Sequence, residues 1–317
     1  MKTVLITGGA GFIGSNLTKE LLSLGYRVVS VDNFDSTYDP RFKEEHISSF
    51  LGNKNFSLFR VDIRDLEALK KIFISHKPSY VVHLAAKADT RDAVKIPFTY
   101  VENNINGTLN ILELCREYSI LNLVMASSSS VYGNTKTIPW KEGEIADSPL
   151  SPYGATKRSI ELFSYAYHHN FKMNIICLRY FNAYGENNRP NMVPYIWAQK
   201  LLRGEEIEMS GDGSRKRDYT YIGDVVRATI LAMEKPLGFQ VINVGNNNPV
   251  SLKELLTVFE SVFGLKAKVK TRLSHHASVE VTCADIGKAE KYLGWKPIVP
   301  IEAGIKKLAD WVYSNRL

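Results

Sequence analysis

The chain has 317 residues, of which 44% are hydrophobic and 23% charged, a composition typical of a folded globular protein. No apolar run approaches the ~20 residues of a membrane helix, and Gly8 interrupts the apolar start too early for a signal peptide, so we expect a cytoplasmic protein with no membrane partner. The net charge of +7 is dispersed, which disfavours nucleic acid as a partner, and the isolated Cys115, Cys177 and Cys283 predict neither a disulfide nor a metal site.

The amino-terminal segment has the pattern of a dinucleotide-binding unit. A β-branched, apolar strand at residues 3–7 leads into a glycine turn, an amphipathic helix follows to Gly25, and a second strand at residues 27–31 ends at Asp32. Glycines at this spacing let a pyrophosphate approach the free N–H groups of a helix N-terminus. The Asp32 carboxylate can accept hydrogen bonds from the adenosine ribose and would repel a 2′-phosphate, so the predicted cofactor is NAD. The predicted contacts in this unit are Gly8, Gly11, Phe12, Ile13, Gly14 and Asp32.

Strands and helices continue to alternate after residues 33–54, a polar stretch that we interpret as irregular. The predicted strands are 56–61, 80–84 and 121–126, and the predicted helices are 66–76 and 97–118. Repeated units of this length predict a doubly wound, parallel, Rossmann-type α/β sheet. Asp32, Asp62, Ala85 and Ser127 then fall at strand carboxyl ends, where such sheets bind ligands, so we expect them to share one crevice.

A hydroxyl-rich strand end at residues 127–130 is followed by Tyr153 and Lys157. The tyrosine and the lysine are four residues apart, so on a helix both side chains lie on one face. Free tyrosine titrates near ~10, and acting as a base at pH 7 requires positive charge that lowers this pKa by about 3 units. We predict a proton-transfer site of Ser128, Tyr153 and Lys157, with Lys157 as the source of that charge.

The pattern changes to longer loops from about Gly185 onward. Residues 186–192 are polar and contain proline, whereas helix 224–235 and strand 241–244 are expected to return to the first domain. We predict an NAD-binding domain of residues 1–184 with 218–245, and a smaller α/β C-terminal substrate lobe of residues 185–217 and 246–317.

Six motifs are spread over essentially the whole chain. They are Thr7-Gly8-Gly9-Ala10-Gly11-Phe12-Ile13-Gly14, His83-Leu84-Ala85-Ala86, the set Ser128, Tyr153 and Lys157, Leu178-Arg179-Tyr180-Phe181-Asn182, Arg217-Asp218-Tyr219, and Ala284-Asp285. Together they resemble the extended short-chain dehydrogenase/reductase family, specifically its nucleotide-sugar epimerases and dehydratases.

The resemblance implies a role for each matching residue. Ser128 would hydrogen-bond the sugar O4, Tyr153 would be the catalytic base, and Lys157 would hold the nicotinamide ribose while lowering the tyrosine pKa. Asn182 and Arg217 would bind the diphosphate of a UDP-sugar substrate. The further cofactor contacts implied are Asp62, Ile63, Leu84, Ala85, Ala86, Lys87, Asn103, Ser127 and Tyr180.

The implied reaction is inversion at C4 through a transient 4-keto sugar. Tyr153 would take the 4-hydroxyl proton as hydride passes from C4 to NAD, and hydride would return to the opposite face once the keto sugar has turned over. Related dehydratases and decarboxylases carry an acid just before the Val-Tyr-Gly that is here residues 131–133, where this chain has Ser129 and Ser130. A hydroxyl does not replace a carboxylate in removing a C5 proton, so the sequence favours a 4-epimerase.

The sugar that the sequence favours is UDP-glucuronate or UDP-galacturonate. Residues 85–91 and 188–192 resemble UDP-glucuronate 4-epimerases, and Arg91 or Arg189 can present a planar fork to a C6 carboxylate. Asp89 departs from the pattern of that branch, which has glycine there.

The alternatives rest on other positions. Residues 180–185 are closer to the UDP-glucose and N-acetylhexosamine 4-epimerases, although many of those enzymes carry a diphosphate-binding arginine where this chain has His275. A UDP-sugar dehydratase or decarboxylase, or an NAD-binding protein without turnover, is less favoured.

The family also implies a homodimer formed by helices 97–118 and 153–170, whose apolar Leu109, Leu112, Ile160 and Phe163 belong either to the core or to the interface.

Overall fold

The centre of the structure, a computed structural model that describes residues 1–272 and 279–315, is a parallel β-sheet flanked by helices. The strands are β1 (Thr3–Thr7), β2 (Arg27–Val31), β3 (Phe56–Phe59), β4 (Tyr80–His83), β5 (Asn122–Ser128), β6 (Asn174–Tyr180), β7 (Asn182–Tyr184), β8 (Glu206–Ser210), β9 (Lys216–Tyr221), β10 (Phe239–Val244), β11 (Pro249–Ser251) and β12 (Lys268–Arg272). The helices are α1 (Phe12–Ser23), α2 (Arg41–Ser48), α3 (Leu66–His76), α4 (Thr90–Lys95), α5 (Pro97–Tyr100), α6 (Gly107–Glu117), α7 (Pro152–Phe171), α8 (Val193–Leu202), α9 (Ile222–Glu234), α10 (Leu252–Phe263), α11 (Gly287–Leu293) and α12 (Ile301–Asn315).

The large sheet has seven strands in the order β10-β6-β5-β4-β1-β2-β3, all parallel. All five residues of β1 and all seven of β6 are buried, as expected for strands covered by helices on both faces. The strand order reverses between β1 and β4, which opens a crevice at the strand carboxyl ends. The predicted doubly wound, Rossmann-type α/β fold is therefore confirmed.

Two small sheets lie outside the large one. β7 and β11 pair with β9, and β8 pairs with β12. β10 is part of the large sheet, where it pairs with β6 from Phe239 to Val244. The division of the chain into an NAD-binding domain and a substrate lobe at the residue boundaries given above stays a prediction.

Two local expectations differ from the structure, and the burial of the apolar helix residues separates core from surface positions. The stretch of residues 33–54 contains α2, whose eight residues bury Lys43, His46 and Ile47. The helix expected at 97–118 is interrupted by a π-helical segment, Val101–Asn106, between α5 and α6. Leu112 and Ile160 are core residues, whereas Phe163 is 37% exposed.

A buried ion pair joins α7 to the sheet beneath it. Both oxygens of the Glu161 carboxylate accept hydrogen bonds from the Arg179 guanidinium at 2.8 Å, and Ser127 Oγ donates to the same carboxylate at 2.6 Å. The Glu161 side chain is fully buried and that of Arg179 is 2% exposed. Charges in such a place are stable only as a hydrogen-bonded pair, so this contact fixes α7 against β5 and β6.

We expect Glu161→Gln to lower the free energy of unfolding by about 3–5 kcal/mol, because the Arg179 charge loses its buried partner. Urea denaturation measures this loss. Glu117→Gln is the matched control, because Glu117 pairs with Lys70 at the surface, where an ion pair has little effect. Equal losses of unfolding free energy in the two variants would show that the buried Glu161–Arg179 pair does not stabilise the fold more than a surface pair does.

Candidate active site

The glycine turn between β1 and α1 forms one side of the crevice. Gly8 has a φ of +71°, and a Cβ built on it would lie 2.8 Å from the backbone nitrogen of Ala85. A Cβ on Gly14 would lie 2.2 Å from the Gly8 carbonyl oxygen. Both positions therefore need glycine. No side chain caps α1 and its first turn has no acid, so this helix end fits the pyrophosphate of a dinucleotide.

Asp32 lies at the end of β2, as predicted, and is paired with a lysine that the sequence did not reveal. Its carboxylate accepts hydrogen bonds from Phe34 N at 2.8 Å, Ala10 N at 3.2 Å and Lys43 Nζ at 3.0 Å. Lys43 is on α2 and 8% exposed. The positive charge of Lys43 partly cancels the negative charge of Asp32. Asp32 therefore repels a 2′-phosphate less strongly than it would alone.

The loop after β4 is held by an asparagine from the π-helical segment. Asn104 Oδ1 accepts a hydrogen bond from Lys87 N at 2.8 Å, and Asn104 Nδ2 donates to Lys87 O at 3.0 Å and to Thr156 Oγ1 at 3.1 Å. Lys87 Nζ forms an ion pair with Asp35 at 3.1 Å. Asn104 therefore connects the 85–87 loop to α7, and the neighbouring Asn103 is also buried.

Two of the implied cofactor contacts, Asp62 and Ile63, lie after β3. Hydrogen bonds from Arg64 lower the pKa of the Asp62 carboxyl to about 2, with a smaller contribution from Asn33. Ile63 is 4% exposed, and its carbonyl accepts a hydrogen bond from Asn110 at 3.0 Å. This edge of the crevice therefore carries an ionised Asp62 carboxylate and an Ile63 main chain held by a hydrogen bond.

The serine turn after β5 packs tightly against the start of α7. Ser128 Oγ accepts a hydrogen bond from Ser130 N at 3.1 Å and so caps the 3₁₀ turn that follows. Ser151 caps α7 in the same way through Gly154 N. A Cβ on Gly154 would lie 2.6 Å from the Ser130 carbonyl oxygen, so glycine here allows the turn and the helix to touch.

Tyr153 and Ser128 meet at this contact. Burial raises the pKa of Tyr153 above its ordinary value, while the hydrogen bond with Ser128 and the positive charge of Arg189 lower it by less. Lys157 was predicted to supply that charge. That role stays a prediction. Lys157 Nζ donates to the Ala126 carbonyl at 2.6 Å, and burial lowers the lysine pKa to about 8.

Two predicted cofactor residues direct their side chains into the protein. The Ser127 hydroxyl is bound to Glu161, and the Tyr180 hydroxyl lies 2.8 Å from Thr229 Oγ1. Both residues are buried at the carboxyl ends of β5 and β6. Because both hydroxyls have partners within the protein, Ser127 and Tyr180 can contact a cofactor only through main-chain atoms.

The two candidate carboxylate-binding arginines differ in environment. The Arg91 side chain is 55% exposed and lies 3.4 Å from Asp89. Arg189 is partly buried, and its Nη1 donates to the Ala88 carbonyl at 3.4 Å. Because the charge of Arg189 acts on Tyr153, Arg189 is the arginine that the structure brings to the proton-transfer set.

The predicted diphosphate ligands lie on adjacent strands of a small sheet. Asn182 pairs with Tyr219, two residues from Arg217, so Asn182 and Arg217 share one side of the sheet. Burial lowers the pKa of the Arg217 guanidinium. Asp218 anchors this strand, because its carboxylate accepts hydrogen bonds from the backbone N–H groups of Asn246, Asn247 and Ala284.

His275 lies outside the described residues. Within residues 1–272 and 279–315, no group of three or more His, Cys, Asp or Glu side chains is arranged to hold a metal ion. No helix in the described part of the chain is both long and apolar enough to cross a membrane.

Comparison with known proteins identifies the family. Residues 5–308 match the family model described as GDP-mannose 4,6 dehydratase. The chain is 41% identical over 312 residues to the UDP-glucuronate 4-epimerase of Thermodesulfobacterium geofontis, covering 98% of this chain and 96% of the relative.

Solved structures agree with the sequence match. The UDP-glucuronic acid 4-epimerase of Bacillus cereus, in complex with UDP-glucuronic acid and NAD, is 34% identical with a TM-score of 0.91, covering 98% of this chain and 99% of that one. The UDP-glucose 4-epimerase of Thermotoga maritima with UDP-glucose has the same identity, TM-score and coverage. The chain therefore belongs to the GDP-mannose 4,6 dehydratase family, and with its epimerase relatives to the extended short-chain dehydrogenase/reductases that its motifs resemble.

Proposed function

We propose that this protein is an NAD-dependent 4-epimerase that interconverts UDP-glucuronate and UDP-galacturonate. The observation that carries the proposal is the contact between the serine turn and α7, which brings Ser128 to Tyr153 at the carboxyl end of β5. Positions 129 and 130 of that turn are serines. The similarity to epimerases from Thermodesulfobacterium geofontis and Bacillus cereus supports the same reaction.

The proton is handled by Tyr153 and Ser128. With burial holding its pKa above the ordinary value, Tyr153 is a protonated phenol at neutral pH in this structure. The nicotinamide ring of bound NAD⁺ supplies the hydride acceptor and a positive charge. Arg189 already lowers the tyrosine pKa from one side, so added positive charge favours loss of the Tyr153 proton and its action as a base on the 4-hydroxyl.

Lys157 is the residue that we assign to the nicotinamide ribose. Its hydrogen bond to the Ala126 carbonyl fixes the ammonium group at the carboxyl end of β5, one turn along α7 from Tyr153. This position suits a ribose hydroxyl of the cofactor. A buried lysine with a pKa of about 8 is also able to exchange protons near neutral pH.

Arg189 is the residue that we assign to the C6 carboxylate. Its guanidinium is partly buried and acts on Tyr153, whereas Arg91 is exposed and already lies beside Asp89. Charge-assisted hydrogen bonds to a carboxylate are worth about 1.5–3 kcal/mol, so Arg189 would favour a uronate by roughly 10- to 100-fold.

Purified protein incubated separately with UDP-glucuronate, UDP-glucose and UDP-N-acetylglucosamine tests the proposal by separation of the C4 epimers. We expect UDP-glucuronate to give the highest kcat/KM, by roughly 10-fold or more, and Tyr153→Phe to lower this rate by about 100- to 10,000-fold. A higher kcat/KM for UDP-glucose would contradict the proposed uronate substrate. If none of the three substrates gave a C4 epimer, the proposed 4-epimerase activity would be wrong.

Lys157 also predicts a pH dependence of stability. Because its folded-state pKa of about 8 lies below the ordinary 10.5, its ionisation opposes folding below pH 8, and this opposition is lost as pH rises to 10.5. We expect the stability of the parent relative to Lys157→Met to rise by about 3 kcal/mol over that range, in urea denaturation of nucleotide-free protein. Lys19→Met, at an exposed position of α1, is the control, and a flat difference for Lys157→Met would contradict the prediction.

We also propose a cytoplasmic homodimer formed through α5 and α7. Phe98 is 82% exposed, and Leu162 and Tyr165 on α7 are 56% and 55% exposed. Light scattering at micromolar concentration should give twice the chain mass, and Phe98→Glu with Leu162→Glu should give the monomer, because two charges would be buried without partners. Ile298→Glu, at a residue 67% exposed outside these helices, is the control. A monomer mass for the parent would overturn the dimer.

A further inference from the structure

The loop of residues 185–192, which carries Arg189, is tied to the first turns of α1 by two asparagines. Asn16 Nδ2 donates to the Glu186 carbonyl at 3.0 Å and to the Phe12 carbonyl at 2.9 Å. Asn187 Nδ2 donates to Ser15 Oγ at 3.3 Å. Consecutive residues of the loop thus contact consecutive residues of the helix, some 170 positions away in sequence.

The helical ends of these bonds are fixed. Ser15 is fully buried, its N–H donates to the Gly11 carbonyl at 2.9 Å, and its hydroxyl donates to the Phe12 carbonyl at 3.2 Å. Gly11 and Phe12 belong to the turn that fits a pyrophosphate. A ligand on that turn therefore contacts residues whose carbonyls anchor Ser15 and Asn16, the two residues that hold the loop.

The loop itself has a defined conformation. Asn187 has a φ of +60°, a left-handed conformation that asparagine adopts more readily than most residues. The Glu186 carboxylate accepts a hydrogen bond from Tyr221 at 2.8 Å, and Asn188 is fully buried. Main-chain strain of this kind persists only where surrounding contacts fix the segment.

Arg189 is the part of the loop that faces the site. Besides its bond to Ala88, its Nη2 lies 3.5 Å from Met192 Sδ, and its charge acts on Tyr153. An arginine side chain has many rotamers, so its guanidinium keeps one position only when the main chain of the loop is fixed. A small displacement of the loop would move the guanidinium away from both Tyr153 and a substrate carboxylate.

We propose that Asn16 and Asn187 are positioning residues that couple occupancy of the cofactor turn to the placement of Arg189. The inference rests on the proposed function for its ligands. Because such coupling is reciprocal, NAD⁺ would strengthen binding of the uronate, and the uronate would strengthen binding of NAD⁺. The two asparagines act through Arg189 and take no part in proton transfer.

The test is the double variant Asn16→Ala, Asn187→Gly, in which glycine keeps the left-handed conformation and only the amide is removed. Hydrogen–deuterium exchange of the peptide covering residues 185–192 is measured with and without saturating NAD⁺. We expect NAD⁺ to slow exchange of this peptide about 10-fold in the parent and less than 2-fold in the variant. Asn315→Ala is the matched control, because Asn315 also donates to the carbonyl four residues before it, Trp311, but contacts no loop.

Kinetics supply a second readout that a general loss of stability would not reproduce. We expect the double variant to raise KM for UDP-glucuronate about 10-fold, because the substrate carboxylate loses a placed Arg189, and to move the rise of kcat with pH to higher pH, because the same charge lowers the Tyr153 pKa. Equal protection by NAD⁺ in parent and variant would overturn the coupling while leaving the epimerase intact. Absence of NAD⁺ binding to the parent would overturn the coupling and the proposed function together, whereas NAD⁺-dependent protection without epimerisation would overturn only the latter.

Discussion

The Glu161 carboxylate is the buried charge on which the geometry of the site depends. It accepts two hydrogen bonds from Arg179 on β6 and one from Ser127 on β5. Glu161 lies one helical turn after Lys157 and two after Tyr153. Moving α7 along the strands by one residue would leave a buried charge without its partner, at a cost of several kcal/mol. The ion pair therefore fixes the height of Tyr153, the proposed base, above the serine turn.

The same network extends away from the crevice. The Arg179 guanidinium lies over the Tyr132 ring at 4.6 Å, and the Tyr132 hydroxyl donates to Asn243 on β10. Asn243 Nδ2 in turn donates to the carbonyls of Trp140 and Asp285. The ion pair that holds α7 is thus connected to β10, the edge strand of the large sheet, and to the segment after residue 279.

The sequence predicted what depends on local spacing. The glycine turn, the alternation of strands and helices and the four-residue separation of Tyr153 and Lys157 are visible in the chain because each is set by a few neighbouring residues. Lys43 was missed because α2 lies in a polar stretch with weak periodicity, and its role appears only when it meets Asp32 eleven residues away.

Other parts of the site depend on long-range packing. Asn104 acts from a π-helical segment for which the sequence gives no spacing signal, and it joins two elements that are distant in the chain. Lys157, the nearest cation in sequence, stays the predicted source of positive charge for Tyr153, and Arg189, 36 residues further on, also lowers the Tyr153 pKa, a contribution that the sequence did not predict. Which of several cations faces a group is decided by the placement of loops, and spacing along a helix does not contain that information.

The hydrogen-bonding capacity of Ser128 explains why a serine turn suits an epimerase. A hydroxyl has one proton and two lone pairs, and Ser130 N–H occupies one lone pair. In this structure the proton is directed to Ser130 Oγ at 3.2 Å. A turn of the hydroxyl would let it donate to a C4 carbonyl, and the remaining lone pair can accept from a C4 hydroxyl, so Ser128 can serve both states of the proposed cycle. An ionised carboxylate at position 129 or 130 would only accept, and its negative charge would oppose loss of the Tyr153 proton. The serines therefore favour a reaction in which C4 alone changes.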